Sequence, residues 1–294
     1  MRTVDVLRYA AFTDRPEGGN PAGVVLDARG ASDARMLAVA AEVGFAETAF
    51  VVRPADDADP RWGVRYFSPH AEVPFCGHAT VATAVALAER AAAGAPAGSG
   101  APGSGTVVFD TPVGEVVVRT TAGPEGVRAA FTSVPPRVGP LAEDVLDRLL
   151  ALIGARRADL DGRFPVRTAD AGNPHPLLFL AAADVFDTFT FEPAAVRALM
   201  DEQGWTGTVS VLRALGPDRF EARNLFPVGA ITEDPATGSA AAALGGYLRE
   251  LALVPVPSRV QVHQGRHVGR PGLLTVDVPR TGGVVVSGRA VAMG

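Results

Sequence analysis

The sequence contains no lysine, so all 27 basic residues are arginine. This excludes a pyridoxal-phosphate Schiff base and a Walker-type phosphate loop, because both need the lysine amine. Cys76 is the single cysteine, which excludes a disulfide within the chain and a thiolate metal cluster. The five histidines are scattered. His263 and His267 are four apart, but the glycines and proline around them predict turns, so we expect no metal site.

Strong charge of either sign and long apolar runs are also missing. The net charge of -5 and the pI near 5.6 provide no basic surface for nucleic acid or an anionic membrane. No apolar run approaches the roughly 20 residues that span a bilayer, and the first residues lack the apolar core of a signal peptide. We therefore expect a cytoplasmic protein with a small-molecule partner, and neither a nucleic-acid nor a membrane partner.

The most informative stretch is Glu72–Arg90. From residue 79 to residue 88 only two threonines are polar, so the predicted helix is apolar on every face and must be enclosed. The residues that lead into its first turn are Cys76, Gly77 and His78. They place a thiol and an imidazole beside backbone N–H groups that favour an anion.

The same design recurs later in the chain. Gly77 matches Gly238 and His78 matches Ser239 at one offset of 161 residues (238 minus 77). Gly19-Asn-Pro21 recurs as Gly172-Asn-Pro174, at an offset of 153 (172 minus 19). Order and spacing agree, so the sequence predicts two related lobes, each a sheet around one buried helix, with both helix starts facing a shared cleft.

Many short predicted strands and few helices indicate an α+β protein. We expect the N-terminal lobe at residues 1–122, completed by a C-terminal strand at 284–294. The C-terminal lobe is expected at residues 123–283, with the active site in the cleft between the lobes.

Glu47 is the candidate for acid–base chemistry. In a predicted strand, period-two geometry puts Glu47 on the same face as Phe45, Ala49 and Val51. A carboxylate is expensive to bury as an anion on an apolar face, which suits a group that takes up and returns a proton. The alternative is a partly exposed or hydrogen-bonded structural glutamate.

The two helix starts are candidates for substrate binding. Glycine at each start lets N–H groups approach a substrate carboxylate closely. His78, Asp234 and Ser239 supply polar groups that could orient the substrate. Each could instead cap its helix, and Cys76 could be a small buried hydrophobe. The duplication favours function, since two helix starts at one cleft exceed what capping requires.

Four ordered motifs carry a family resemblance. They are Gly18-Gly-Asn-Pro21, Phe45-Ala-Glu-Thr-Ala-Phe50, Val73-Pro-Phe-Cys-Gly-His-Ala-Thr80 and Glu233-Asp-Pro-Ala-Thr-Gly-Ser-Ala240. Together they resemble the PhzF-like phenazine biosynthesis family. The resemblance implies the diaminopimelate epimerase-like fold: α+β, with two pseudo-symmetric lobes, each a curled, mostly antiparallel sheet around a central buried helix, usually as a homodimer.

The resemblance also implies an activity, a cofactor-free isomerisation by proton shift on a small carboxylate-bearing metabolite. The family's acid/base glutamate falls on Glu47, so the expected catalytic residue is Glu47, with no metal and no cofactor. The expected substrate-binding residues are Asn20, Cys76, Gly77, His78, Asp234, Gly238 and Ser239.

Two other functions remain open from the sequence. Amino-acid epimerases and proline racemase, which share the implied fold, use one cysteine at each helix start. Cys76 would be the first, but the region around Asp234 has no thiol. A racemase could still be built from Cys76 and Glu47, and a non-catalytic binding member of the fold is the third possibility.

Overall fold

The computed structural model describes residues 5–94, 103–228 and 231–294. They fall into two compact units. Unit 1 runs up to Thr132 and regains Ser287–Gly294, whereas unit 2 is Ser133–Val286. The predicted lobe boundary at residue 122 falls inside a strand, and the units divide after the next strand instead.

Both units are rich in short strands. Unit 1 contains β1 (Leu7–Ala11), β2 (Asn20–Val25), α1 (Asp33–Val43), β3 (Glu47–Arg53), β4 (Arg61–Phe67), β5 (Glu72–Val73), α2 (Gly77–Ala93), β6 (Gly105–Thr111), β7 (Gly114–Gly123) and β8 (Gly126–Thr132). Unit 2 contains β9 (Arg137–Pro140), α3 (Glu143–Leu152), β10 (Arg167–Asp170), β11 (Pro174–Phe179), α4 (Ala183–Thr188), α5 (Pro193–Gln203), β12 (Val209–Ala214), β13 (Arg219–Val228), β14 (Ile231–Asp234), α6 (Gly238–Glu250), β15 (Ser258–Gln264) and β16 (Gly272–Val278). The last strand is β17 (Val285–Ala292).

Unit 1 is a mostly antiparallel sheet. β1 pairs antiparallel with β2, β2 parallel with β3, and β3 antiparallel with β4. β4 then pairs antiparallel with β5 and parallel with β6, and β6 pairs antiparallel with β7. β7 continues antiparallel to β8, and β17 pairs antiparallel with β1, so the chain's last strand extends the sheet of its first.

Unit 2 repeats this series of pairings with other strands. β10 pairs antiparallel with β11, β11 parallel with β12, and β12 antiparallel with β13. β13 pairs antiparallel with β14 and parallel with β15, and β15 pairs antiparallel with β16. Six successive pairings thus match in kind and order, which confirms the predicted pseudo-symmetric α+β fold.

Each unit encloses one helix because that helix has no polar face. Every residue from His78 to Ala88 of α2 is buried, as is every residue from Ala240 to Leu248 of α6. Thr80 and Thr83 donate their hydroxyl protons to carbonyl oxygens one turn earlier, each at 2.7 Å. These bonds satisfy the two buried threonine side chains of α2 without water, as burial requires.

Local signals fix some of the outer elements and not others. Ser32 caps α1 by accepting a hydrogen bond from the Arg35 N–H, and Gly44 ends the helix with a φ of 72°. α4 has no side-chain cap, and its first residue, Ala183, is the last of three consecutive alanines. No local sequence signal therefore predicts this short helix, and the packing of Phe186 in the core holds it in place.

In the part of the chain that the structure describes, no helix combines the length and apolar character needed to cross a bilayer.

Gly246 is required by close packing inside unit 2. A Cβ at Gly246 would lie 2.3 Å from Pro136 Cβ and 2.7 Å from its Cγ, and a proline ring cannot rotate away. Alanine favours a helix by about 1 kcal/mol over glycine, but overpacking costs about 1–3 kcal/mol. We expect Gly246→Ala to lower the free energy of unfolding by about 1 kcal/mol net, measured by urea denaturation.

The matched control is Gly139→Ala, because a Cβ added at Gly139 would meet no heavy atom within 4 Å and the φ there is not positive. This variant should not lose stability. Increased stability of Gly246→Ala would contradict the packing argument and indicate that helix propensity decides.

Candidate active site

The polar cluster of unit 1 forms where two parallel strands and one helix begin. β2 and β3 are parallel, with Ala22 opposite Glu47, so Asn20 and Glu47 lie near the starts of neighbouring strands. α2 begins at Gly77. The topology therefore brings Asn20, Glu47 and the first turn of α2 together, although 58 residues separate Asn20 from His78.

Glu47, Cys76 and His78 contact one another. Glu47 Oε2 lies 3.4 Å from His78 Nε2 and 3.6 Å from Cys76 Sγ, which donates to it. Cys76 Sγ lies 3.3 Å from His78 Nδ1. The Glu47 side chain is 15% exposed and that of His78 is 6% exposed. A carboxylate, a thiol and an imidazole thus share a nearly dry site.

His78 is neutral at physiological pH. Burial lowers the pKa of His78 from its ordinary value to about 3, against a smaller opposing effect of a hydrogen bond to the Pro21 backbone. The Asn20 amide nitrogen lies 3.1 Å from His78 Nδ1, and Glu47 Oε2 lies near the other ring nitrogen. His78 therefore brings no positive charge to Glu47.

Cys76 is held from behind by buried hydroxyls. The Thr80 hydroxyl donates to the Cys76 carbonyl oxygen at 2.7 Å and lies 2.7 Å from the Tyr66 hydroxyl, which is fully buried. Phe75 packs edge-on against Tyr66 with a ring-centroid distance of 6.1 Å. These contacts fix the chain just before the first turn of α2.

Gly19 is required by the turn that delivers Asn20. Its φ is +55°, and a Cβ there would lie 2.1 Å from the Ala11 carbonyl oxygen. Any larger residue would be strained and would also collide with the backbone of β1. The Gly-Asn-Pro motif is therefore a backbone device that places the Asn20 amide.

Unit 2 holds a second polar cluster at the start of α6. Thr237 donates its hydroxyl proton to Asp234 Oδ2 at 2.5 Å. Gln264 donates from Nε2 to the Asp234 carbonyl oxygen at 2.6 Å and accepts from the Thr237 N–H at 3.1 Å. Ser239 Oγ lies 3.1 Å from His175 Nε2. Asp234 is thus bound by its own loop, and Ser239 by a strand.

The capping alternative does not fit His78 and Ser239. Cys76 and Thr237 occupy the N-cap positions, and within the described chain neither makes a side-chain cap bond. His78 and Ser239 are the second residues of their helices. Besides the neighbouring Cys76, His78 contacts Asn20 and Glu47 on strands, and Ser239 contacts His175 on a strand.

Sequence reasoning missed three members of these clusters: Thr208, Gln264 and His175. A signal was available for His175, because it directly follows the second Gly-Asn-Pro motif. Nothing in the local sequence marks Thr208 or Gln264, since strand pairing and side-chain contacts bring them to the cluster.

The unit 1 cluster also has the composition of a metal site. One ligand atom each from Glu47, Cys76 and His78 lie within 4.8 Å of one another. A thiolate, an imidazole and a carboxylate suit Zn²⁺. The expectation of no metal rests on the spacing of His263 and His267, which has no bearing on this group, and on the family resemblance.

A cavity in unit 1 lies at the opposite end of α2. It has a volume of about 780 Å³ and is lined by residues that include Tyr9, Met36, Phe50 and Glu89. The Tyr9 hydroxyl donates to Glu89 Oε2 at 2.6 Å there. None of the candidate site residues lines it, so the chemistry and not the volume identifies the candidate site.

Known proteins of one family resemble the chain over most of its length. The model of the family described as phenazine biosynthesis-like protein matches residues 9–294. The chain belongs to this family. The uncharacterized isomerase YddE of Escherichia coli O157:H7 is 31% identical, over 98% of this chain and 96% of its own. The trans-2,3-dihydro-3-hydroxyanthranilate isomerase of Pseudomonas chlororaphis is 27% identical, over 90% and 86%.

Solved structures agree with the family assignment. A Bacillus anthracis phenazine biosynthesis protein of the PhzF family superposes with a TM-score of 0.82 at 25% identity, covering 100% of this chain and 98% of that one. A probable proline racemase from Agrobacterium radiobacter has a TM-score of 0.60 at 13% identity, over 99% and 92%, and shares the fold alone. These relatives confirm the predicted PhzF-like family, fold and isomerase class.

Two buried imidazoles make stability depend on pH. Burial lowers the pKa of His78 to about 3 and the pKa of His175 to about 4. Between an ordinary pKa near 6.5 and these values, only the unfolded chain takes up the protons, so stability falls as pH falls. We expect each imidazole to remove about 2 kcal/mol of unfolding free energy between about pH 7 and pH 5.

The measurement is urea denaturation at both pH values, with His175→Gln as the comparison. The variant lacks one of the two imidazoles, so its pH-dependent loss should be smaller than that of the parent by about 2 kcal/mol. The same loss in both proteins would show that His175 titrates normally in the folded state.

Proposed function

We propose that the protein is a cofactor-independent isomerase that moves a proton within a small carboxylate-bearing metabolite, with Glu47 as its acid and base. The observation that carries this proposal is the contact of Glu47 Oε2 with the Cys76 thiol and the neutral His78 ring, in a pocket that leaves Glu47 15% exposed. A nearly dry carboxylate can take a proton from one carbon and return it to another, and its 15% exposure lets that proton exchange with solvent before it returns.

Divergence between the two units supports a single base. The offset of 161 residues places Thr208 at the position of Glu47 (47 plus 161) and Thr237 at that of Cys76 (76 plus 161). The hydroxyl of a threonine is a poor general base at neutral pH. Unit 2 therefore has no second carboxylate or thiol at these positions. A two-thiol racemase needs a thiol in each unit, whereas a proton shift on one face of a substrate needs one base.

His78 and Cys76 then have supporting roles. His78 lies with Nε2 3.4 Å from Glu47 Oε2 and stays neutral, because its pKa is lowered by burial to about 3. Cys76 donates its S–H to the same carboxylate oxygen at 3.6 Å. This donor stabilises the Glu47 anion that forms when the proton returns to carbon.

Substrate binding is assigned to the helix starts and their neighbours. Backbone N–H groups at Gly77 and Gly238 favour a carboxylate through their helix dipoles. Side chains proposed to bind the substrate are those of Asn20, Cys76, His78, Asp234 and Ser239. The first compound to test is trans-2,3-dihydro-3-hydroxyanthranilate, because the relative from Pseudomonas chlororaphis is named for it and it carries a carboxylate.

We further propose that the protein works as a homodimer, as the family resemblance implies, and that it is cytoplasmic. Sedimentation velocity on the purified protein measures the oligomeric state, and a monomer at micromolar concentration would contradict the first part.

Solvent-deuterium incorporation tests the role of Glu47. In D₂O, substrate turned over by the wild-type protein should gain deuterium at the carbon that receives the proton. Glu47→Gln should lower the rate at least about 1,000-fold, because the amide keeps the shape and loses the base. The matched control is Glu42→Gln, an exposed glutamate on α1, which should exchange at the wild-type rate.

Cys76→Ser separates the proposal from its alternative. A proton shift by Glu47 survives this change with a loss of roughly tenfold or less, since serine can still donate a hydrogen bond. Abolished exchange in Cys76→Ser would favour an amino-acid racemase built on that thiol. Absence of exchange by the wild-type protein with every carboxylate tested would favour a non-catalytic binding role.

A further inference from the structure

His175 is a fully buried polar residue to which the proposed proton transfer gives no task. It lies on β11 with 0% of its surface exposed, and both ring nitrogens have partners. Nδ1 faces Thr208, and Nε2 lies 3.1 Å from Ser239 Oγ. A single ring therefore connects a strand, a neighbouring loop and the first turn of α6.

The partners of His175 decide where its proton sits. The Thr208 N–H donates to Nδ1 at 2.9 Å, and a backbone N–H has no other state. The Thr208 carbonyl oxygen is farther from Nδ1, at 3.1 Å, and a proton on Nδ1 would face the proton of the N–H. Burial lowers the pKa of His175 to about 4, so the ring carries one proton at neutral pH, and that proton is on Nε2.

This tautomer fixes the role of the Ser239 hydroxyl. Its oxygen accepts the proton of His175 Nε2, so the hydroxyl's own proton is left to be donated. Among the described residues, His175 is the one hydrogen-bond partner of the Ser239 side chain. Ser239 is also partly exposed, whereas Gly238 and Ala240 beside it are buried. The donated proton therefore needs an acceptor that the described protein does not supply.

We propose that His175 is a positioning residue that holds the Ser239 hydroxyl as a hydrogen-bond donor to an anionic oxygen of the substrate. This inference rests on the proposed function, which places Ser239 in substrate binding. An anionic oxygen fits because the first turn of α6 presents backbone N–H groups and the positive end of the helix dipole. A substrate carboxylate can accept from the Ser239 hydroxyl and from the N–H groups of that first turn.

The backbone beside His175 is built to hold the ring in place. A Cβ at Gly207 would lie 2.6 Å from His175 Cε1 and 2.8 Å from Nδ1, and the φ of Gly207 is not in the left-handed region. Glycine is needed there for close approach alone. Thr208 Oγ1 adds a third contact, 3.0 Å from Nδ1. The ring is thus clamped on the side away from Ser239.

Unit 1 has the same device with different side chains. There Asn20 of the first Gly-Asn-Pro motif bonds His78, the second residue of α2. In unit 2 the equivalent Asn173 accepts instead from the Thr206 hydroxyl at 3.0 Å, and His175, two residues on, bonds Ser239. In both units, then, the strand at the motif fixes the second residue of the buried helix.

Two conservative variants divide the contacts of His175 between them. The amide of glutamine reaches the position of Nε2 and can donate to Ser239, whereas the amide of asparagine reaches the position of Nδ1 and can serve only Thr208. We expect His175→Asn to raise KM at least about tenfold with kcat within about twofold, and His175→Gln to keep both near wild-type values. Ser239→Ala should raise KM as His175→Asn does, and the double variant should add little further.

A structural role for His175 gives a different pattern. If the ring only supports the Thr208 backbone, His175→Gln should lose activity and unfolding free energy, and His175→Asn should lose neither. Equal losses of kcat in both variants, or additive effects of His175→Asn and Ser239→Ala, would also overturn the inference.

Nitrogen NMR of the imidazole tests the arrangement without any turnover. The wild-type His175 ring should be neutral and protonated on Nε2, and the Nε2 resonance should move in Ser239→Ala. A proton on Nδ1, or no response to Ser239→Ala, overturns the inference even if the isomerase function holds. Conversely, the expected spectrum together with no proton transfer by the wild-type protein would reject the proposed function and leave the His175–Ser239 contact standing.

Discussion

The fold depends on enclosing a helix that is apolar on every side. Once α2 and α6 are surrounded by strands, their lateral faces have no room for chemistry, and polar groups can be presented only where the helices begin. A buried polar group must also find a hydrogen-bond partner or lose about 1–3 kcal/mol. In unit 1 these demands are met jointly by Asn20, Glu47, Cys76 and His78, which satisfy one another.

Burial also decides which group of unit 1 carries the proton. An imidazole alone could serve as a general base near neutral pH, but desolvation lowers the pKa of His78 to about 3 and removes it from that role. The ring becomes a neutral neighbour of Glu47, and the carboxylate is left as the group that changes its protonation. The chemistry therefore follows from how the helix is enclosed as much as from which residues are present.

The two units share their strand pairings but differ in the side chains at the helix starts. Six strand pairings recur in the same order. The parallel pairs β2–β3 and β4–β6 of unit 1 correspond to β11–β12 and β13–β15 of unit 2. The side chains differ, since Ala22 and Glu47 of unit 1 are replaced by His175 and Thr208 in unit 2. An imidazole serves both units, from the helix in one and from the strand in the other. Duplication supplied two scaffolds, and only one retains a carboxylate at the strand start.

The sequence was enough to predict the fold class, both buried helices and the residues of the unit 1 cluster. Apolar composition on every face of residues 79–88 and the repeated motifs are strong signals, because few arrangements satisfy them. The 161-residue offset already pairs Thr208 with Glu47, but Gln264 could not be found this way. Gln264 joins its cluster through strand register and a contact across 27 residues, which no local pattern records. The sequence did not predict α4 either, because that helix has no side-chain cap and is held by packing.

The central claim is that the imidazole at the start of α2 is neutral and leaves proton transfer to Glu47. Nitrogen NMR of His78 over about pH 5 to pH 8, with the signal identified by its loss in His78→Asn, tests this most directly. The account predicts a neutral ring throughout the range. A titration with a midpoint near the ordinary histidine pKa of about 6.5 would contradict it.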